Sequence, residues 1–191
     1  MNRKIILAAA LAALATPALA DLKPGTKAPD FSAQGYLAGQ PFSFKLSDAL
    51  KKGPVVMYFF PAAYTGGCNI ETHMFSEASG KFKAENATLI GVTAGNADKL
   101  ADYSKDTQYC AGKFPLLADP GAKIAKSYDT QRTIDPSRLP AGVTLPKEIS
   151  GRTSYVVAPS GEVLHAYDAS DPHQHVDETL GALKAWRAKA K

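Results

Sequence analysis

Val55-Val56-Met57-Tyr58-Phe59-Phe60-Pro61-Ala62-Ala63-Tyr64-Thr65-Gly66-Gly67-Cys68 is the stretch that decides the fold. Its first six residues are an unbroken run of β-branched, aromatic and other apolar side chains, bounded by Gly53-Pro54 and by Pro61. So short a run reads as a strand buried on both faces. A turn of small residues then leads to Cys68, after which Ile70, Met74, Phe75, Ala78 and Phe82 recur at helical spacing, with Asn86 as a stop. Cys68 therefore falls where a strand has ended and a helix begins. The first backbone N–H groups of a helix lack intrahelical partners and carry the positive end of its dipole. That setting favours thiolate over thiol, and the thiolate is the nucleophile.

Outward from this stretch, strands and helices alternate. Residues 89–93 form a second buried strand. Leu100 and Tyr103, with Asn96 or Asp98 as caps, predict a helix that reaches Cys110 or ends just before it. Residues 114–117 are extended, and 122–128 form a short helix after Pro120-Gly121. Residues 130–151, with three prolines and two glycines, read as an irregular loop. Residues 153–158 and 162–167 flank Pro159-Ser160-Gly161, a hairpin signal. Residues 177–189 close the chain as a helix, with Val176, Leu180, Leu183 and Trp186 on one packing face. Upstream, 21–30 is an extended opening, 42–44 a short strand, and 46–50 a helical turn starting near Ser47 or Asp48. This order predicts an α/β fold: a mainly parallel central sheet flanked by helices on both faces and made mixed by the late hairpin. It matches a thioredoxin-like fold.

The first 20 residues have a basic start (Arg3, Lys4), an Ala/Leu-rich apolar run, and Pro17 shortly before an A-x-A site at Ala18-Leu19-Ala20. They read as a secretory signal peptide, with the mature domain spanning 21–191 and lying in the periplasm or outside the cell. Cleavage removes Arg3 and Lys4, so the formal charge falls from +4 to +2. No second apolar run suits a membrane span, so no stable membrane association is expected after cleavage. Nor does a basic stripe interleaved with aromatics point to nucleic acid. Two cysteines in an exported chain allow a structural disulfide, although a domain of this length does not need one. His173 and His175 read as solvated turn or cap residues, and His73 and His165 as isolated. No metal and no organic cofactor are expected.

Pro61, Thr65 and Cys68 match a P-x-x-x-[T/S]-x-x-C motif. The chain here resembles the peroxiredoxins, of the alkyl hydroperoxide reductase and thiol-specific antioxidant type, nearest to the bacterioferritin-comigratory-protein-like subgroup. Lys27-Ala28-Pro29-Asp30-Phe31, Phe114-Pro115-Leu116-Leu117-Ala118-Asp119 and Gly151-Arg152-Thr153-Ser154-Tyr155-Val156-Val157 resemble further segments of that family, in the same order. Two departures stand out: Gly67 precedes the cysteine where the family often has Pro or Val, and Tyr64 stands where Phe is common.

The resemblance implies a thiol-dependent peroxidase that reduces hydrogen peroxide and organic hydroperoxides at Cys68. Thr65 would bond thiolate and peroxide, Arg152 would stabilise thiolate and leaving oxygen, Pro61 would shield the sulfur, and Glu71 would orient the arginine. Cys110 would resolve the sulfenic acid, because a position five residues after Cys68 is His73 and the tail carries no cysteine. A bystander role for Cys110, or resolution by an external thiol, remains open at this stage. The implied partners are a peroxide and a thioredoxin-like or other thiol reductant, for a monomer or homodimer. Two rivals also stand: a thioredoxin-like thiol–disulfide oxidoreductase, against which the absence of C-x-x-C counts, and a non-catalytic domain stapled by a Cys68–Cys110 disulfide.

Overall fold

The structure is a computed structural model that describes residues 22–139 and 143–189. The signal peptide expected at 1–20 lies outside the described residues.

The stretch at 55–60 becomes strand β3, once the first hairpin, β1 (Ser32–Leu37) and β2 (Gln40–Lys45), and helix α1 (Leu46–Leu50) have been laid down. β3 (Val55–Phe59) is followed by α2 (Gly66–Ala84), β4 (Thr88–Thr93), α3 (Leu100–Lys105), β5 (Leu116–Ala118) and α4 (Lys123–Ser127). Then come β6 (Gln131–Thr133), β7 (Glu148–Ser150), β8 (Thr153–Val157), β9 (Val163–Asp168) and α5 (His175–Lys189). Seven strands form one sheet in the order β2-β1-β5-β4-β3-β8-β9, and β6 pairs with β7 apart from it. The sheet is mixed, as the sequence implies. It is less parallel than expected: β4 runs parallel to β3 and β5, while every other pair in it is antiparallel.

Alternation along β3 builds two cores. Val55, Met57 and Phe59 face a layer with α1 and α4, joined by Ile90, Val92, Leu117 and Tyr155. Val56, Tyr58 and Phe60 face the other layer, with α2, α3 and α5 supplying Phe75, Phe82, Tyr103 and Leu183. All five β3 residues are wholly buried, and each such Val, Met or Phe side chain contributes roughly 1.5–3 kcal/mol relative to exposure.

Tyr58 sets where α2 lies. Its ring stacks on Phe75 at 4.4 Å and 15°, and its hydroxyl pairs with Thr72 Oγ1 at 3.0 Å. Gly91 on β4 makes room: a Cβ there would come within 2.8 Å of the Tyr58 ring. α2 starts two residues earlier than the apolar spacing suggests, and its buried face differs too. Ile70 is 43% exposed, while Glu71 and Thr72 are buried. α3 is also shorter than expected, because the chain turns extended at Asp106. Residues 130–151, expected to be wholly irregular, contain the β6–β7 pair.

Candidate active site

The loop 61–65 is pinned to the corner after β4. Thr93 Oγ1 donates to the Pro61 carbonyl at 3.1 Å, and Asn96 Nδ2 donates to the Ala63 carbonyl at 2.8 Å. Asn96 takes the N-cap position of the 3-10 turn that leads into α3, as the sequence suggests, but at φ 54° and without a side-chain cap bond, since its side chain ties the loop. Tyr64 sits at φ 59°, an unfavourable place for a bulky residue. Its ring packs edge-on against Tyr103 at 4.8 Å, which holds it there.

Thr65 is the N-cap of α2, with extended backbone and no side-chain cap bond. Its hydroxyl donates instead to the Ala62 carbonyl at 2.9 Å. That proton does not reach the sulfur, contrary to the sequence expectation. Toward a peroxide the hydroxyl is left as an acceptor.

Cys68 lies in the first turn of α2 and is 1% exposed. Tyr103 donates its hydroxyl to the Cys68 carbonyl at 3.1 Å. Arg152, just before β8, reaches across from the sheet, and its Nη2 lies 3.5 Å from the Cys68 sulfur. The guanidinium is held on three other sides. Nε donates to the Ser170 carbonyl at 3.0 Å, Nη1 approaches the Gly67 carbonyl at 3.5 Å, and Nη1 pairs with Glu71 Oε2. Gly67 proves to be a matter of space: a Cβ there would sit 3.0 Å from Arg152 Nη2. Its lack of a side chain lets the guanidinium lie against the start of the helix.

Glu71, one turn after Cys68, is wholly buried. Burial pushes its carboxyl up to about 8, with the Arg152 charge and hydrogen bond opposing. For Arg152, burial acts downward but is outweighed by Glu71 and Cys68, and the guanidinium binds its proton more tightly than usual. The sequence suggests a solvated turn or cap residue at His175. It is instead wholly buried at the start of α5, with Nδ1 2.8 Å from Ser154 Oγ and 3.5 Å from Glu71 Oε1. The four-residue steps from His175 to Thr179 and Leu183 place it on the buried helix face, a signal the sequence offers. His173 is exposed as expected. Among the described residues, no group of three His, Cys, Asp or Glu side chains is placed to hold a metal.

Pro61, Arg152, Ser150, Ile149 and Arg132 line a cleft of about 500 Å³ on the Arg152 side. Pro61, Thr65, Cys68, Arg152 and Glu71 are thus gathered at one end of the sheet.

Cys110 stands differently. It lies in a turn five residues past the end of α3, not in the helix. It is wholly buried, its sulfur donating to the Phe114 carbonyl at 3.3 Å, while its own carbonyl accepts from Ser76 Oγ at 3.1 Å. Burial pushes its thiol up to about 11. Both thiols are free, and both belong to the core layer under α2.

Residues 24–166 match the AhpC/TSA family. Chloroplastic peroxiredoxin Q of Sedum lineare is 31% identical over 167 residues, 87% of this chain and 80% of that protein. A putative chloroplastic peroxiredoxin Q of Oryza sativa subsp. indica is 33% identical over 71% of this chain, which spans only 56% of that protein's length. The crystal structure of peroxidoxin BcpB from Mycobacterium tuberculosis superposes with a TM-score of 0.71 at 26% identity, covering 86% of this chain and 97% of that one. AhpC of Enterococcus faecalis shares the fold at 20% identity, with a TM-score of 0.71 over 87% of this chain and 93% of that one.

Proposed function

We propose, for a chain that belongs to the AhpC/TSA family and is thus a peroxiredoxin, a thiol-dependent peroxidase, that Cys68 attacks the peroxide and Cys110 resolves the product. The observation that carries the first part is the single guanidinium, Arg152, set against both the Cys68 sulfur and the first turn of α2.

The Cys68 thiolate attacks the hydroxyl-bearing oxygen of R–O–O–H. A sulfur–oxygen bond forms, the O–O bond breaks, and the electron pair leaves on RO⁻, which takes a proton to become alcohol or, where R is hydrogen, water. Cys68 is left as the sulfenic acid. Arg152 offers a fixed positive charge to the thiolate and then to the leaving oxygen, without entering the proton transfers. Thr65, its proton engaged at the Ala62 carbonyl, accepts the peroxide O–H and so presents that same oxygen to sulfur. Pro61 walls the cleft without competing as a donor.

The sulfenic acid then meets the Cys110 thiol: the S–S bond forms and water leaves. Cys110 can do this only after its turn opens, since its thiol is buried and held protonated. An external dithiol then reduces the disulfide. The leader-like residues 1–20 support export, so that dithiol would be an extracytoplasmic one.

Intact mass after one equivalent of hydrogen peroxide on the reduced protein tests this. Loss of two hydrogens is expected in the wild type and gain of oxygen in Cys110→Ser. Turnover of Cys110→Ser at the wild-type rate with a dithiol reductant rules Cys110 out as the resolving residue.

A further inference from the structure

Two buried groups, the first of them paired with Arg152, have no part in the steps above. Glu71 Oε1 has no hydrogen-bond partner, although the carboxylate is wholly buried. His175 Nδ1, equally buried, lies 3.5 Å from it. The other ring nitrogen fixes the tautomer. Nε2 lies 3.1 Å from the Ala169 carbonyl, which can only accept, so Nε2 carries a hydrogen. In the neutral ring Nδ1 is therefore a bare acceptor. Were Glu71 ionised as well, the Nδ1 lone pair would face a carboxylate oxygen in a dry interior, with the Ser154 hydroxyl able to answer Nδ1 but nothing bonded to Oε1. A single proton removes the conflict. On Oε1 it faces the Nδ1 lone pair; on Nδ1 it makes an imidazolium beside a carboxylate. The Ser154 hydroxyl, 2.8 Å from Nδ1, can donate or accept and so suits both.

We propose that Glu71 Oε1 and His175 Nδ1 hold one proton between them, and that His175 thereby keeps the Arg152 charge available to Cys68. His175 is then a positioning residue, acting through Glu71 and Arg152; this rests on the thiol-peroxidase reading of Cys68.

With the proton in place, Arg152, Glu71 and His175 together carry one positive charge, and a Cys68 thiolate neutralises it. Without it, thiolate and carboxylate compete for one guanidinium, and the buried cluster carries a net negative charge. Burial raises Glu71 to about 8 against the pull of Arg152, and burial lowers His175, so the proton sits mainly on the carboxyl side. The other groups that face the pair are Cys68 on α2, Tyr58 on β3, Tyr103 on α3, Arg152 before β8, Tyr167 and Asp168 on β9, and Asp171 after it. Tyr58 and Tyr103 are raised by burial and stay neutral. Asp171, lowered by its bonds to His173, stays anionic. Arg152 keeps its proton throughout.

The test has two arms on the reduced, full-length protein. Nitrogen-15 NMR of labelled histidine should show His175 protonated at Nε2, with Nδ1 changing as pH rises through about 8, and no such change in Glu71→Gln. The rate constant for hydrogen peroxide should show an alkaline falling limb that is lost in Glu71→Gln. In His175→Asn the limb should move to lower pH by about one unit, a tenfold easier loss of the proton. An unprotonated Nε2, an Nδ1 indifferent to pH, or superimposable wild-type and His175→Asn profiles overturns the proposal; should His175→Asn fail to fold, the wild-type NMR decides. If the wild type does not react with peroxide at any pH, the peroxidase reading fails, while the NMR arm still decides where the proton lies.

Discussion

Replacing Arg152 with methionine keeps much of the side-chain volume and removes the charge from the site. Nη2 lies 3.5 Å from the Cys68 sulfur. Two unit charges at that distance interact by roughly 4–5 kcal/mol at an effective dielectric constant of about 20. Not all of that is lost, because Cys68 still lies in the first turn of α2, whose free backbone N–H groups and dipole favour the anion. What remains is the loss of one fixed charged donor at the developing anion, about 3–4 kcal/mol in the transition state, or about 10²–10³ in rate. The assay is stopped-flow measurement of Cys68 oxidation by hydrogen peroxide, with circular dichroism to show that the fold is kept. Arg152→Lys should recover little of the loss. One ammonium cannot serve the sulfur, Glu71 and the Ser170 carbonyl together, as the planar guanidinium does. A rate for Arg152→Met within about threefold of wild type, less than 1 kcal/mol, would refute the assignment of Arg152 to the reacting sulfur.

Three further outcomes follow from the same geometry. Gly67→Val brings a Cβ to 3.0 Å from Nη2, so the guanidinium must give by a few tenths of an ångström, and peroxide reduction should slow by about fivefold, roughly 1 kcal/mol, with little change in melting temperature. Folded Glu71 is raised from 4.5 to about 8, so its contribution to stability is complete below about pH 4.5 and is lost as pH rises toward 8. Urea titrations should show wild type losing stability relative to Glu71→Gln across that window, at a limiting slope of about 1.4 kcal/mol per pH unit. Ser76→Ala removes the bond from Ser76 Oγ to the Cys110 carbonyl at 3.1 Å. It should ease opening of the Cys110 turn by about 1 kcal/mol and speed disulfide formation roughly fivefold in quenched-flow thiol counts, without changing the sulfenic-acid step.

The central strands were legible because burial on both faces leaves an unbroken apolar run, and β3 and β4 carry one. The β8–β9 hairpin was legible from Pro159-Ser160-Gly161, where Gly161 takes φ 81°. β1 was not. It holds Gly35, where a Cβ would come within 2.1 Å of the Leu116 carbonyl oxygen, so its sequence answers to a neighbouring strand 81 residues away rather than to strand propensity. β6 and β7 are likewise made by pairing across a long connection, which local composition does not reveal. At the site, the turn before Cys68 pointed to that cysteine, and the resemblance to the peroxiredoxins implied Pro61, Thr65, Arg152 and Glu71 beside it. The structure brings those five together. Cys110 was read as a helix-end thiol because nothing local marks the extended break at Asp106. His175 was read as solvated because it follows a polar turn, yet α5 begins at that residue and turns it inward toward Glu71. Ile70, counted among the apolar positions at helical spacing, turns outward, while the inward positions go to Glu71 and Thr72, which the site and Tyr58 require.

The most direct measurement is hydroperoxide consumption by Cys68→Ser, with a dithiol as electron source. The serine keeps the fold and nearly the volume but offers no sulfur to oxidise, so consumption should fall to the rate of reductant alone. Undiminished consumption would place the chemistry elsewhere and contradict the role given to Cys68.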